Sequence, residues 1–171
     1  MNHQQRYYGQ AGMGAAPMVN NPGLPVGVGG DPNIIAEDWY SYSCFVAGIA
    51  ASGSATTSIQ IEADSDFEIV KLEQYTIQDA ADTADQLAGG SIVPDCTVLL
   101  IDTGSGRQLM NIALPVFSIF GTAQLPYILP KPKRLFARST LSVQVANLNT
   151  NHGYAYIYLT FSGRKIFTRG S

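Results

Sequence analysis

One aspartate stands where a strand-like apolar run ends, and the residues after it are small and polar. Residues 98–101 lead directly into Asp102-Thr103-Gly104-Ser105. A carboxylate at such a position becomes catalytic when a second carboxylate lies beside it. Two close carboxyl groups cannot both ionise, so they share a proton and can activate water. The motif occurs once, so a second copy of the chain would have to supply the partner.

This stretch resembles the active-site loop of aspartic proteases, in which two apolar residues precede Asp-Thr-Gly-Ser. The resemblance implies a homodimer that pairs two Asp102 side chains, with an apolar-apolar-Gly element well downstream. The candidate for that element, Ile119-Phe120-Gly121, follows closely. Asp, Thr, Gly and Ser are also the residues expected in a hairpin turn. We therefore predict no catalytic residue and no enzyme activity, with a homodimeric aspartic protease using Asp102 as the alternative.

Two acidic groups raise the question of a metal, because calcium prefers several carboxylate oxygens. The residues concerned are Glu62, Asp64, Asp66, Glu68, Asp79, Asp82 and Asp85. Neither group has the glycine-containing loop spacing of a calcium motif. His3 and His152 lie far apart, and no Ser or Cys stands in a nucleophile motif. We predict neither metal nor cofactor.

Basic residues gather near a proline-rich stretch. They are Lys131, Lys133, Arg134 and Arg138, beside Tyr127 and Phe136. Nucleic acid could bind such a patch, but the net charge of the chain is -3 and the prolines indicate a stiff loop. Contact with an acidic protein surface is the favoured interpretation, so Lys131, Lys133 and Arg134 are predicted interface residues and no nucleic acid is expected.

Charge is scarce and unevenly distributed. Charged residues make up 13% of the chain, about half the usual share, which favours a surface covered by partners. All 13 acidic residues lie at or before Asp102, while every basic residue except Arg6 and Lys71 follows it. Either an interleaved fold mixes the two signs within one subunit, or acidic and basic surfaces meet between subunits.

Residues 1–33 differ in composition from the rest. They are rich in Gly, Pro and Asn and nearly uncharged, so they cannot bury enough apolar surface alone to offset their ordering entropy. Scattered aromatic and aliphatic side chains are typical of an extended arm laid across a neighbour. The predicted contact residues of this arm are Arg6, Tyr7, Tyr8, Met13, Met18, Leu24 and Val26.

Residues 34–171 show the two-residue period of half-buried strands. Residues 139–147 and 154–161 alternate clearly and are predicted to form an antiparallel pair. In residues 67–77 the apolar residues stand at every second position, but the apolar parity (odd or even positions) switches after Ile69 and again before Tyr75. Each switch predicts a bulge or bend. Residues 96–101 are apolar on both faces, as in a central strand, and Ser162-Gly163 is predicted to be a turn. Short strands with Gly, Pro and Asp between them indicate an all-β, two-sheet antiparallel sandwich of jelly-roll type.

No membrane span is expected, because no run of 18 apolar residues occurs. No secretory signal pattern stands at the amino end. Cys44 and Cys96 lie in strand-like apolar runs and are predicted to be small buried residues without a disulfide.

The ordering of several elements carries a second resemblance, covering about residues 65–167. Asp102-x-Gly104-x-Gly106-Arg107-x-Leu109 comes first, then Pro115, Gly121 and the proline-rich stretch 125–132. Phe136, residues 141–147 and Phe161-Ser162-Gly163-x-Lys165-x-Phe167 follow. This pattern resembles the jelly-roll cement or decoration proteins of tailed-bacteriophage heads.

The resemblance implies a structural virion protein on the outside of the capsid. It implies binding to the major capsid protein, clamping of adjacent capsid subunits, and a homotrimer, with a dimer as the alternative. A receptor- or glycan-binding module of fibre type is the other non-enzymatic alternative, with Tyr154, Tyr156 and Tyr158 as its contact residues if they are exposed.

Overall fold

The computed structural model describes residues 34–78 and 94–168, and nearly all of them lie in strands. The strands are β1 (Ile34–Ile49), β2 (Ser54–Gln60), β3 (Asp66–Gln78), β4 (Cys96–Asp102), β5 (Arg107–Gln108), β6 (Leu114–Pro115), β7 (Tyr127–Leu135), β8 (Thr140–Asn147) and β9 (Tyr154–Thr168). One single-turn helix, α1 (Val116–Ile119), follows β6. Within these ranges no helix has the length and hydropathy needed to cross a membrane.

The strands form two antiparallel sheets packed face to face, which confirms the predicted all-β sandwich. The front sheet has the order β1-β9-β3-β7. The back sheet has the order β2-β8-β4, with β5 and β6 both pairing with the outer edge of β4. Early and late strands therefore alternate within each sheet, and this strand order is that of a jelly roll.

The core lies between the inner faces of the two sheets. Alternate residues of β8 and β4, such as Val143 and Val98, meet Ile157, Leu159 and Phe161 of β9, all of them fully buried. Cys44 and Cys96 are buried free thiols within this core, as predicted. Each sheet thus has one apolar face because its strands alternate with a period of two residues.

The predicted pairing of residues 139–147 with 154–161 is wrong. Strand β8 belongs to the back sheet and β9 to the front sheet, and the connection between them crosses from one sheet to the other. The amide of buried Asn147 holds this crossing by donating to the carbonyls of Ala50 (3.1 Å) and His152 (2.8 Å). Both strands have a single apolar face, and these faces meet across the core instead of lying side by side.

The predicted turn at Ser162-Gly163 is also wrong, because β9 continues through both residues. Strand β3 shifts register between Ile69 and Lys71, which confirms the first predicted parity switch. The second, before Tyr75, is wrong: the register runs unbroken from Lys71 to Ile77. Polar residues simply occupy core positions there, with Thr76 Oγ1 donating to Gln74 Oε1 at 2.7 Å.

Candidate binding surface

The outer face of the front sheet is formed by the three longest strands, which lie side by side. The register places Phe45 of β1 opposite Tyr158 of β9, and Tyr158 opposite Tyr75 of β3. Because side chains alternate along a strand, every second residue on either side of this line also faces outward. Residues more than 110 positions apart in the chain thereby share one surface.

Four aromatic side chains, here called the aromatic row, stand together on this face: Phe45, Tyr75, Tyr156 and Tyr158. The ring of Tyr158 stacks on Phe45 with centroids 5.8 Å apart and contacts Tyr75 at 6.3 Å and Tyr156 at 6.4 Å. Phe45 is 56% exposed and Tyr75 is 53% exposed. A contiguous group of large exposed rings is uncommon on a protein without a partner and indicates a contact surface.

Next to the aromatic row lie two rows of hydroxyl groups. Ser43 Oγ is 2.8 Å from Thr160 Oγ1, and Ser41 Oγ is 2.8 Å from Ser162 Oγ. Opposite these pairs on β3, Lys71 Nζ donates to Glu73 Oε1 at 3.0 Å. The hydroxyl groups can donate and accept hydrogen bonds. Beside them, the positive charge of Lys71 and the negative charge of Glu73 compensate each other.

At the far end of the face stands Trp39, which is 58% exposed and has Lys71 Nζ 5.9 Å from its ring centroid. Beside it, the buried guanidinium of Arg164 pairs with Glu37 at 2.9 Å and with Glu68. Arg164 Nε has no hydrogen-bond partner among the described residues. Two carboxylates thus compensate one buried cation, as a buried charge requires.

Of the three tyrosines predicted for a binding module, only two lie on this surface. Tyr156 and Tyr158 are exposed, but Tyr154 is 2% exposed and its hydroxyl accepts the Asp95 N–H at 2.8 Å. Burial raises the pKa of Tyr154. No local pattern in the sequence singles out Phe45, Tyr75 and Trp39, because only the pairing of β1, β9 and β3 brings them together.

The predicted basic interface residues have three different surroundings. Lys131 is exposed on β7, whereas Lys133 is half-buried and lines a groove. Arg134 is engaged within the subunit, since its Nε donates to Asp66 Oδ2 at 2.8 Å. Lys131 and Lys133 therefore remain predictions as contact residues, while Arg134 already has an acidic partner in its own chain.

Asp102 is buried in the turn between β4 and β5. Its Oδ1 accepts the N–H groups of Gly104 (3.1 Å) and Ser105 (3.4 Å), and its Oδ2 accepts the Ser105 hydroxyl at 2.6 Å. The predicted hairpin is confirmed, because Asp102 pairs with Arg107. In the downstream candidate element, Phe120 packs edge-on against Phe161 in the core at 5.5 Å. These contacts give Asp102 a structural role in its turn.

Of the four described acidic residues considered as calcium ligands, three pair with cations. Asp66 pairs with Arg134, Glu68 with Arg164, and Glu62 with Lys165. No group of three or more His, Cys, Asp or Glu side chains in residues 34–78 and 94–168 is arranged to hold a metal ion. The second acidic group, Asp79, Asp82 and Asp85, lies outside the described residues.

The arm predicted for residues 1–33 also lies outside the described residues, and so do its contact residues Arg6, Tyr7, Tyr8, Met13, Met18, Leu24 and Val26. They stay predictions. No protein-family model matches the chain, and no curated protein matches it significantly.

Proposed function

We propose that this chain is a capsid decoration protein of a tailed bacteriophage, which binds the major capsid protein through the outer face of its front sheet. The observation that carries the proposal is the aromatic row, an exposed stack of rings beside compensated charges. The jelly-roll fold of the chain also supports this function, as does the resemblance of residues 65–167 to phage decoration proteins.

The mechanism is mechanical. Each half-exposed ring of the aromatic row that becomes buried against a capsid subunit contributes about 2 kcal/mol before the costs of association. Residues 1–33 add a second attachment to a neighbouring subunit. Many such two-point contacts on one shell raise the total avidity without any single strong contact. The protein would act on the virion surface as a homotrimer, the state that the resemblance implies, and clamp adjacent capsid subunits without a cofactor.

The test is binding of the purified chain to decoration-free heads of the parent phage, measured by co-sedimentation. We expect the double variant Tyr75→Ser/Tyr158→Ser to bind at least about tenfold more weakly, since 1.4 kcal/mol corresponds to a factor of ten. The matched control is Phe117→Ser, which removes an exposed ring from α1, outside the front face. Equal loss in both variants, or no loss in the first, would show that the front face is not the capsid-binding surface.

Two further measurements test the arm and the oligomer. Deletion of residues 1–33 is expected to leave a folded domain that no longer binds heads. Retained binding would contradict the role of the arm. Light scattering is expected to give three times the chain mass for the full-length protein. A mass of two chains would instead favour the dimer alternative.

A second candidate function is glycan binding by the same face. Aromatic rings stack on the apolar faces of sugars, and hydroxyl, carboxylate and ammonium groups bind sugar hydroxyls. Trp39 lies six residues from Phe45 along β1, about 20 Å, with the two hydroxyl rows in between. The test is binding of the full chain to neutral glycans on an array. If Tyr75→Ser/Tyr158→Ser loses glycan binding but still binds heads as the native chain does, glycan binding is favoured over decoration.

A further inference from the structure

A groove opens along one side of the sandwich, between β7 of the front sheet and the short strands β5 and β6 of the back sheet. Its volume is about 330 Å³, at the lower end of the range of small-molecule sites. The opposite side is closed, because β1 packs beside β2 and the turn between them is tied by the Gly53 N–H to the Ala50 carbonyl at 2.9 Å.

The groove follows from the sequence of β7. Pro130 and Pro132 have no N–H to donate to a neighbouring strand. The register therefore jumps: Lys133 lies opposite Ile69 and Ile128 lies opposite Lys71, so four residues of β7 face the single residue Val70. On the other wall, β5 and β6 have two residues each and cover little of the edge of β4.

The deep part of the groove is aliphatic. Leu72 and Leu100 form its floor, and Leu114, Ile119 and Leu129 form its walls. None of these side chains can hydrogen-bond. A peptide backbone in this part would leave its N–H and C=O groups without hydrogen-bond partners, which is unfavourable, whereas an alkyl chain has no polar group that needs a partner.

The rim of the groove is cationic. Arg107 of β5 and Lys133 of β7 line it, and no Asp or Glu is among the described residues that do so. Neither cation forms an ion pair within residues 34–78 and 94–168. An apolar slot with two cations at its mouth, neither of them paired with an acid of the described residues, is complementary to an anion carried on an apolar chain.

We propose that this groove binds a medium-chain aliphatic carboxylate, a fatty acid. The alkyl chain lies against Leu72, Leu100 and Leu114, and the carboxylate is bound by Arg107 and Lys133. The site is separate from the aromatic row and does not depend on the proposed decoration function.

The experiment titrates the full chain with decanoate, decanol and decyltrimethylammonium by calorimetry, each below its micelle concentration. We expect decanoate to bind tightest, decanol more weakly, and the cationic amphiphile weakest. Arg107→Gln/Lys133→Gln should weaken the binding of decanoate by at least about tenfold and leave the binding of decanol unchanged, because only decanoate carries a charge that the two cations bind. The matched control is Lys131→Gln, which removes an exposed lysine of the same strand and should change neither affinity.

Leu114→Phe narrows the groove and should weaken the binding of both decanoate and decanol. This variant also tests the site if the double variant fails to fold. The proposal is wrong if decyltrimethylammonium binds as tightly as decanoate, if decanoate does not bind, or if Leu114→Phe leaves both affinities unchanged. Tighter binding of the peptide acetyl-Glu-Leu-Leu-amide than of decanoate would likewise overturn it and make the groove a peptide site.

Discussion

At the scale of single residues, Asp102 shows how one side chain can organise a turn. Its two carboxylate oxygens accept two backbone N–H groups and one hydroxyl group, all from Gly104 and Ser105. A buried carboxylate needs such donors, because burial without hydrogen bonds disfavours its charged form. The same residue types that resemble a protease loop are those that an Asp-initiated turn requires.

Asp102→Ala is expected to lower the free energy of unfolding by about 2–3 kcal/mol, because it leaves two backbone donors without their acceptor. Ser105→Ala should cost about 1 kcal/mol, since the Asp102 carboxylate keeps its two backbone donors. Urea unfolding at pH 7 measures both. Equal stabilities of Asp102→Ala and the native chain would contradict a structural role for this carboxylate.

The two buried cysteines link stability to alkaline pH. Burial raises the pKa of Cys44 and of Cys96 to about 12, from about 9. Between these values the unfolded chain loses thiol protons that the folded chain keeps, so stability is complete below about pH 9 and falls as pH rises. The slope is up to about 1.4 kcal/mol per pH unit for each thiol.

Urea unfolding of the reduced protein between pH 8 and 10 should therefore show a shallower loss of stability in Cys44→Ala/Cys96→Ala than in the native chain, although the variant is less stable at pH 8. Parallel pH dependences would show that these thiols do not titrate differently on folding. In the folded native chain at pH 8, iodoacetamide should leave both thiols unmodified.

At the scale of elements, the bulge of β3 and Gly163 of β9 depend on each other. Ile69 and Lys71 pair with the successive residues Gly163 and Ser162, so Val70 is the extra residue. The bulge brings the β3 backbone so close that a Cβ on Gly163 would lie 1.9 Å from the Glu68 carbonyl oxygen. Glycine is needed here because the backbones of β3 and β9 approach closely. Glycine is also common in turns, so Ser162-Gly163 in the sequence resembled a turn.

Gly163→Ala is expected to destabilise the protein by more than about 3 kcal/mol, because backbone must move to relieve the overlap. Gly106→Ala is the matched comparison: its φ is +65° and nothing lies within 4 Å of an added Cβ. It should cost only about 1–2 kcal/mol, the strain of a left-handed alanine. Thermal unfolding compares the two, and a smaller loss for Gly163→Ala than for Gly106→Ala would contradict the close approach.

At the scale of the whole molecule, acids of the first part of the chain meet bases of the second part inside the subunit. Asp66 pairs with Arg134, Glu62 with Lys165, and Glu37 and Glu68 with Arg164. Each pair joins an acid of the first part of the chain with a base of the second. The jelly-roll order causes this, because early and late strands are neighbours in the front sheet.

The same interleaving predicts that neither part of the chain folds alone. Fragments 1–93 and 94–171 should each lack a cooperative thermal transition, since β1 and β3 need β9, and β2 needs β8. Mixing the two fragments should restore the β-sheet circular dichroism and the transition. A cooperative transition of fragment 94–171 by itself would contradict this prediction.

The sequence by itself determined the fold class, the presence of strand β4, the hairpin at Asp102 and the burial of both cysteines. Each depends on a local pattern: a two-residue apolar period, or turn residues between apolar runs. Local pattern also located the bulge after Ile69, since an extra residue reverses which side chains face the core.

Only the tertiary structure decided which sheet each strand joins and which aromatic side chains meet. Strands β8 and β9 have the two-residue period expected of neighbours in one sheet. They lie in different sheets, however, and their apolar faces pack against each other across the core. Phe45, Tyr75 and Tyr158 form one row because three distant strands share a register, and the groove exists because two sheet edges stand apart. These features arise from pairing between remote residues, and the free energy of such pairing is not encoded in any single stretch of the chain.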